Sequence, residues 1–367
     1  MSVASPLQSG PVGARRVLIG WLAFALLATC GLAACGGDGD TGTSAREPTA
    51  DVSRPQGLLE WIAGHPDNAA MVVLRDRGEA LIEFGGDRRF PLASTRKVLI
   101  AGALTASGED LRTSIARAKV ERFYVPGTDG GAHEKAGLDR PRLTLGELAQ
   151  AAIEASDNAA ADALLEHVGP GAVDAFASEQ GLSEQDPIYP LLGEYAAWAR
   201  DAGWADRSPA ERATRAEQIA GRVTGREVSM SVPPPDSQRR LAAVSVAGVP
   251  AQWAALMRRI GSGGDPQLIE LLDWPRRGSD EVRRDFERFL TKGGSLPGVL
   301  TEASYLRPRG GDGLAVALFL RDLPPDIEST LAKTFTQQQL IRKLVTDEAF
   351  LARARELLAE ATPPSER

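Results

Sequence analysis

The stretch that decides the fold is Phe90-Pro-Leu-Ala-Ser-Thr-Arg-Lys-Val-Leu-Ile-Ala101. On a helix, positions i and i+3 lie on one face, so the hydroxyl of Ser94 and the amine of Lys97 are predicted to meet. The residues after Lys97 are apolar on nearly every side, which predicts a buried helix. Burial favours the neutral form of a lysine, and a neutral amine can take the proton of a serine. The stretch therefore indicates a serine nucleophile beside a lysine base.

Two more polar motifs follow along the chain. Ser156-Asp157-Asn158 separates two apolar helical runs and fits either an N-capped helix break or a loop that points a hydroxyl and an amide into a cleft. Lys292-Gly293-Gly294-Ser295 precedes a strand and fits either a glycine turn or a strand edge that a substrate backbone approaches beside a positive charge. Each motif alone, the Ser94–Lys97 pair included, also fits a purely structural role, so the combination carries the functional interpretation.

In this order the three motifs resemble the Ser-x-x-Lys, Ser-Asp-Asn and Lys-[Thr/Ser]-Gly signature of class A β-lactamases and penicillin-binding proteins. The resemblance implies that Ser94 is the acylating nucleophile, that Lys97 is its proton partner, and that the first step leaves an ester on Ser94. It implies further roles for the other motif residues: a proton relay by Ser156, substrate binding by Asn158 and Lys292, and an oxyanion hole from the backbone N–H groups of Ser94 and Ser295 beside Gly294.

The chain departs from that family pattern in two places. Class A β-lactamases carry a Glu-x-x-Leu-Asn stretch whose glutamate activates the deacylating water, and none follows Ser-Asp-Asn here. The nearest carboxylates are Asp186 and Glu194, and Glu194 is predicted to be a surface charge. The third motif lacks the hydroxyl that normally helps to bind the substrate carboxylate, for which Ser295 is a substitute. Glu302 lies where β-lactamases often carry an arginine. Acylation is therefore predicted, and rapid turnover is not.

The order of the elements predicts an α+β fold of the β-lactamase/transpeptidase type. Strand-like runs at 70–74 and 80–84 form a hairpin, and strands return at 299–306 and 314–320 before a final helix over 328–361. Strands from opposite ends of the chain share one antiparallel sheet only if the helical middle is an insertion. The predicted domain covers 57–362, with an α/β part at 57–93 and 286–362, a helical part at 94–285, and an unusually long segment at 195–245.

The opening residues are predicted to be an export signal. Arg15 and Arg16 precede an uncharged stretch from 17 to 34, which ends in Leu-Ala-Ala directly before Cys35. This arrangement resembles a bacterial lipobox, which implies cleavage after residue 34 and a lipid on Cys35. Residues 35–56 are then a flexible tether, and the protein is predicted on the extracytoplasmic face of the cell membrane. A plain transmembrane anchor is the alternative.

Composition excludes several other functions. The net charge of −7 argues against nucleic-acid binding. The only cysteines, Cys30 and Cys35, lie in the opening segment, and the three histidines lack ligand spacing, so no disulfide, metal or other cofactor is predicted.

The predicted partners are a β-lactam or a peptidoglycan-derived small molecule, and membrane lipid through Cys35. A monomer is expected. Two alternatives to a β-lactamase-like hydrolase stay open: a D-Ala-D-Ala-type peptidase of the cell wall, and a non-catalytic binding lipoprotein with the same fold.

Overall fold

A five-stranded antiparallel sheet forms the centre of the computed structural model, which describes residues 50–129, 131–229 and 234–361. Its strands are β1 (Ala69–Arg75), β2 (Ala80–Phe84), β7 (Phe286–Leu296), β8 (Val299–Pro308) and β9 (Leu314–Leu320), in the spatial order β2-β1-β9-β8-β7. Two small sheets pair β3 (Phe90–Pro91) with β6 (Ala247–Gly248), and β4 (Ser114–Ala116) with β5 (Arg142–Thr144).

The helices fall into three groups along the chain. From residue 50 onward, helix α1 (Pro55–Gly64) precedes the sheet. The middle of the chain forms α2 (Lys97–Ala106), α3 (Arg117–Glu121), α4 (Ala132–Lys135), α5 (Leu145–Gln150), α6 (Asn158–Val168), α7 (Pro170–Glu179), α8 (Leu191–Arg200), α9 (Pro209–Ala220), α10 (Gly225–Ser229), α11 (Pro235–Ala242), α12 (Pro250–Gly263), α13 (Pro266–Leu272), α14 (Trp274–Gly278) and α15 (Asp280–Asp285). The chain ends in α16 (Pro325–Thr334), α17 (Thr336–Thr346) and α18 (Glu348–Ala361).

Both faces of the sheet are covered by helices. Leu-Ala-Val-Ala-Leu-Phe-Leu of β9 is apolar throughout and every residue is buried, as expected for a strand with helices on both sides. One apolar core joins α1, α17 and α18 to one face of the sheet. A second core joins the other face to α12 and to the middle helices. The nucleophile turn, defined as residues Ala93–Arg96, packs against β7, the edge strand of the sheet, and against β8.

The predicted α+β fold is confirmed. The first hairpin forms as β1 and β2, and β1 pairs with β9 from the far end of the chain. Thr144 and Glu147 form the capping box that their spacing predicts, since each side chain accepts the other residue's backbone N–H.

Two predicted boundaries differ from the structure. The predicted final helix is three helices, because Phe335 adopts a left-handed conformation with φ 51° that ends α16, and Asp347 is extended and caps the next turn. At the start of the fold, α1 begins at Pro55 and Val52 is already buried, so the folded part begins before residue 57. Residues 1–34 and Cys35 lie outside the described residues.

Candidate active site

Ser94 lies on a short 3₁₀ turn, the nucleophile turn, directly before α2. The preceding Ala93 has φ 47°, a left-handed conformation that is strained for a residue with a side chain. Ser94 is partly exposed, and within the described ranges neither its hydroxyl nor its backbone N–H has a hydrogen-bond partner. The turn therefore presents a free hydroxyl and a free N–H at one point of the surface.

Lys97 is the first residue of α2, and its side chain is 1% exposed. Its Nζ donates to the backbone oxygen of Ser156 and to Oδ1 of Asn158, both at 2.6 Å, and lies 3.2 Å from Ser156 Oγ. The amine thus bonds to the Ser-Asp-Asn loop rather than to Ser94. Burial, and then the positive charge of Lys292, hold the pKa of Lys97 well below its usual value.

Ser156 lies between the two lysines of the site. It is buried at the end of a π-helical turn, Ala151–Ala155, in a left-handed conformation with φ 61°. Its Oγ is 3.2 Å from Lys97 Nζ and accepts a hydrogen bond from Lys292 Nζ at 3.0 Å. A second strained residue therefore holds a hydroxyl in contact with both amines, where it can pass a proton.

Lys292 reaches this hydroxyl from strand β7 and is 4% exposed. Its Nζ also donates to the Gly293 oxygen at 2.7 Å. Burial lowers the pKa of Lys292 to about 8, and the nearby Glu302 carboxyl opposes that shift. The side chain thus remains a cation at neutral pH.

Gly294 is the point of closest approach between β7 and the nucleophile turn. A Cβ at this position would lie 2.5 Å from the backbone nitrogen of Ser94 and 2.9 Å from that of Thr95. Only glycine lets the strand lie against the turn. Ser295, the next residue, pairs with Leu300 in the β7–β8 ladder.

His133, which no sequence motif indicates, contacts the Ser-Asp-Asn loop through Asp157. Asp157 caps α6 with Oδ1, and its Oδ2 lies 2.9 Å from Nδ1 of His133. The other ring nitrogen of His133 lies 3.4 Å from Glu121, and Tyr124 stacks on the ring. Burial alone would lower the pKa of His133, but Asp157 and Glu121 raise it above its usual value. Because both ring nitrogens face acceptor-only carboxylates, the protonated ring can donate to both and link Asp157 to Glu121.

Glu194 is not a surface charge, and that prediction is wrong. Its side chain is fully buried on α8, and Oε2 accepts a hydrogen bond from Arg96 at 2.6 Å. Arg96 itself is 2% exposed, and an arginine there requires a buried acidic partner. Asp186, the other candidate carboxylate, is also buried and bonds to Arg89 and to the backbone N–H of Ala247. Both carboxylates therefore have structural partners.

The described residues hold neither a cluster of metal-ligating side chains nor a helix that could cross a membrane. Within 50–129, 131–229 and 234–361, no group of three or more His, Cys, Asp or Glu side chains could hold a metal ion. In the same ranges, every helix is too short or too polar to span a membrane.

Comparison with known sequences identifies one family. The profile of the "Beta-lactamase enzyme family" matches residues 56–347. A "Beta-lactamase" of Citrobacter koseri is 32% identical over 136 residues, which are 37% of this chain and 45% of that protein. "Beta-lactamase Toho-2" of Escherichia coli is 30% identical over 146 residues, 36% of this chain and 45% of that protein. The matches thus span just under half the length of these curated relatives.

Solved structures show the same fold. A β-lactamase from Sphaerobacter thermophilus superposes with a TM-score of 0.50 and 21% identity, covering 77% of this chain and 95% of that one. A β-lactamase from Chitinophaga pinensis superposes with a TM-score of 0.51 and 16% identity, covering 78% and 99%. At these identities the likeness concerns the fold alone.

Proposed function

The chain belongs to the beta-lactamase enzyme family, and from this premise we propose that it is a serine hydrolase that forms an acyl-enzyme on Ser94 with β-lactams or related amides. The observation that carries the proposal is the buried chain of hydrogen bonds from Lys97 through Ser156 to Lys292, in which Lys97 follows the free hydroxyl of Ser94 by one turn. A nucleophile, a base, a relay and a cation in one place are the parts that acyl transfer requires.

Proton transfer begins at Lys97. A neutral amine has two N–H donors, and the two short bonds to Ser156 O and Asn158 Oδ1 occupy them. The lone pair is then available to accept the proton of Ser94, whose Oγ attacks the amide carbon. As the C–N bond breaks, the leaving nitrogen takes the proton of Ser156 Oγ, and Lys97 returns its proton to Ser156. No proton is gained or lost over the step.

The negative charge that develops on the attacked oxygen requires donors. The free N–H of Ser94 is one of them, and the N–H of Ser295 is proposed as the second. Gly294 sets the separation of these two groups, because it lets β7 lie against the nucleophile turn. Loss of one such donor typically lowers the rate by about 10²–10³.

Hydrolysis of the acyl-enzyme is proposed to be slow. A water molecule attacks an ester rapidly only when a base lies beside it. Glu194 Oε2 is held by Arg96, and both oxygens of Asp186 are hydrogen-bonded, so neither is a free base. The acyl-enzyme should therefore accumulate.

Reaction with a chromogenic cephalosporin tests the proposal. The expected result is a burst of about one product per protein followed by slow release, with the mass of one opened lactam on the intact protein. Ser94→Ala should abolish the adduct, while Ser183→Ala, an exposed serine, should retain it. Fast steady turnover would contradict the slow hydrolysis of the acyl-enzyme but not the acylation of Ser94. Cleavage of a D-Ala-D-Ala peptide would indicate a peptidase, and no adduct from folded protein would leave only a binding role.

The cellular location is part of the proposal. The lipobox-like residues that end at Cys35 support a lipid-anchored protein on the extracytoplasmic face. Labelling of the expressed protein with a radioactive fatty acid should occur in the wild type and be lost in Cys35→Ser. Label retained in that variant would contradict lipidation at this cysteine.

A further inference from the structure

The residue after Lys292 lies opposite an acidic side chain. Gly293 of β7 pairs with Glu302 of β8, and a Cβ at position 293 would lie 2.7 Å from Glu302 Oε1. No side chain fits at 293 while the glutamate keeps this position, since real Cβ atoms do not approach so closely. The absence of a hydroxyl residue at position 293 and the presence of Glu302 are thus linked, because the glycine leaves the space that the glutamate occupies.

Glu302 is held firmly in this place. It is 3% exposed, and Oε1 accepts a hydrogen bond from Gln338 of α17 at 3.0 Å. Thr291 donates to its other oxygen at 3.3 Å and pairs with Ser304 at 2.7 Å. Two strand residues and one helix residue therefore build a fixed polar site for the carboxyl, which is unlike a mobile surface glutamate.

The carboxylate of Glu302 also reduces the positive electrostatic potential that Lys292 creates in the site. Glu302 raises the pKa of Lys292 against the effect of burial, and burial raises the pKa of Glu302 while Lys292 opposes that rise. Strand β8 offers no compensating cation, because its single arginine, Arg307, is bonded to Asp76. The β-lactamases that the motifs resemble carry a hydroxyl and often an arginine at these two positions, and both groups attract a negative charge. This chain has Gly293 and Glu302 there instead.

Ser295 does not restore the lost hydroxyl at the same point. Side chains alternate along a strand, so Ser295 lies on the same face as Gly293, about 7 Å further from Lys292. A carboxylate bound there would lose contact with the lysine cation.

We propose that the substrate of this site is uncharged at the position where substrates of Lys-Thr-Gly enzymes carry a carboxylate: an ester or amide of the ring acid, or a peptide amide, is accepted in preference to the free acid. Desolvating a carboxylate next to a buried acid, where Glu302 already offsets the charge of Lys292, is unfavourable, whereas a neutral group avoids that penalty. This inference rests on the proposed acylation of Ser94.

A matched pair of probes tests it on the full-length protein. Benzylpenicillin and its methyl ester are each incubated with the enzyme, and the second-order rate of acylation is followed by intact mass. Each rate is divided by the probe's own hydroxide hydrolysis rate, which removes the difference in chemical reactivity. We expect the ester to acylate Ser94 at least as fast as the acid. An acid that reacts more than twofold faster overturns the specificity while leaving acylation intact; no adduct from either probe overturns acylation and the specificity with it.

A charge-removing variant isolates the cause. Glu302→Gln keeps the size of the side chain and an acceptor for Gln338, so the acid-to-ester ratio should rise by about tenfold as one negative charge is removed. Glu287→Gln is the matched control, because Glu287 is exposed on the neighbouring strand β7 and should leave the ratio unchanged. An unchanged ratio in a folded Glu302→Gln protein would contradict the role of this carboxyl. The wild-type comparison stands on its own if that variant does not fold.

Discussion

Replacing Glu194 by alanine removes the acid that is hydrogen-bonded to Arg96 and leaves a guanidinium that is 2% exposed without this partner. Breaking a buried ion pair from one side costs about 3–5 kcal/mol, because the remaining charge stays desolvated. Asp162 also acts on Arg96 and offsets part of that penalty, so we expect a loss near the lower bound, about 3 kcal/mol. A surface glutamate would change stability by less than about 0.5 kcal/mol.

Urea unfolding followed by circular dichroism measures this difference. The midpoint for Glu194→Ala should fall by about 1 M, and Glu179→Gln, an exposed control on α7, should match the wild type. A double-mutant cycle with Arg96→Met should return a coupling energy of more than about 1 kcal/mol. A midpoint within error of the wild type would refute the buried-pair reasoning. A folded Glu194→Gln that loses only deacylation would show that this carboxylate is the base after all.

Three other residues give independent tests. Gly294→Ala forces β7 away from the nitrogen of Ser94, 2.5 Å from the added Cβ, so acylation measured by intact mass should fall about 100-fold with an unchanged circular dichroism spectrum; retention of half the rate would contradict the close approach. Lys292, with a pKa of about 8, acts as a cation, so acylation should be present at neutral pH and decline as pH rises through about 8, and Lys292→Arg should move that decline upward. Asp157 raises the pKa of His133 against the effect of burial, so its link to that carboxylate stabilises the fold below the ordinary histidine pKa and is lost as pH rises through the raised value. His133→Asn should therefore remove this part of the pH dependence of the unfolding free energy, and an unchanged pH dependence would contradict the link.

Much of the fold was predictable because its signals are local. The turn between β1 and β2, the capping box at Thr144 and the three motifs are each written in a few adjacent residues. The order of the three motifs predicts, through the family resemblance, that they meet in one site. Local spacing does not predict this, because Lys292 lies 136 positions from the Ser156 hydroxyl that it contacts.

The missed features depend on partners far along the chain. Glu194 reads as a helix-surface charge until its partner is known, and Arg96 is 98 positions away. One signal was present: an arginine next to an apolar helix predicts a buried acid somewhere in the fold. His133 gave no comparable signal, because nothing in its local sequence connects it with Asp157. Likewise, the left-handed φ of Phe335 that divides the final helix is not indicated by its residue type, because bulky residues rarely adopt that conformation.

The strand that is synthesised last occupies the middle of the sheet. β9 lies between β1 and β8, and it joins the first hairpin to the hairpin that carries Lys292. Until residue 320 has left the ribosome, both hairpins end in unpaired edges, and closing the sheet requires contacts across some 240 residues of chain. A shortened product that stops before β9 would therefore expose two unpaired strand edges and aggregate. The active site could assemble only after residue 320 has been synthesised.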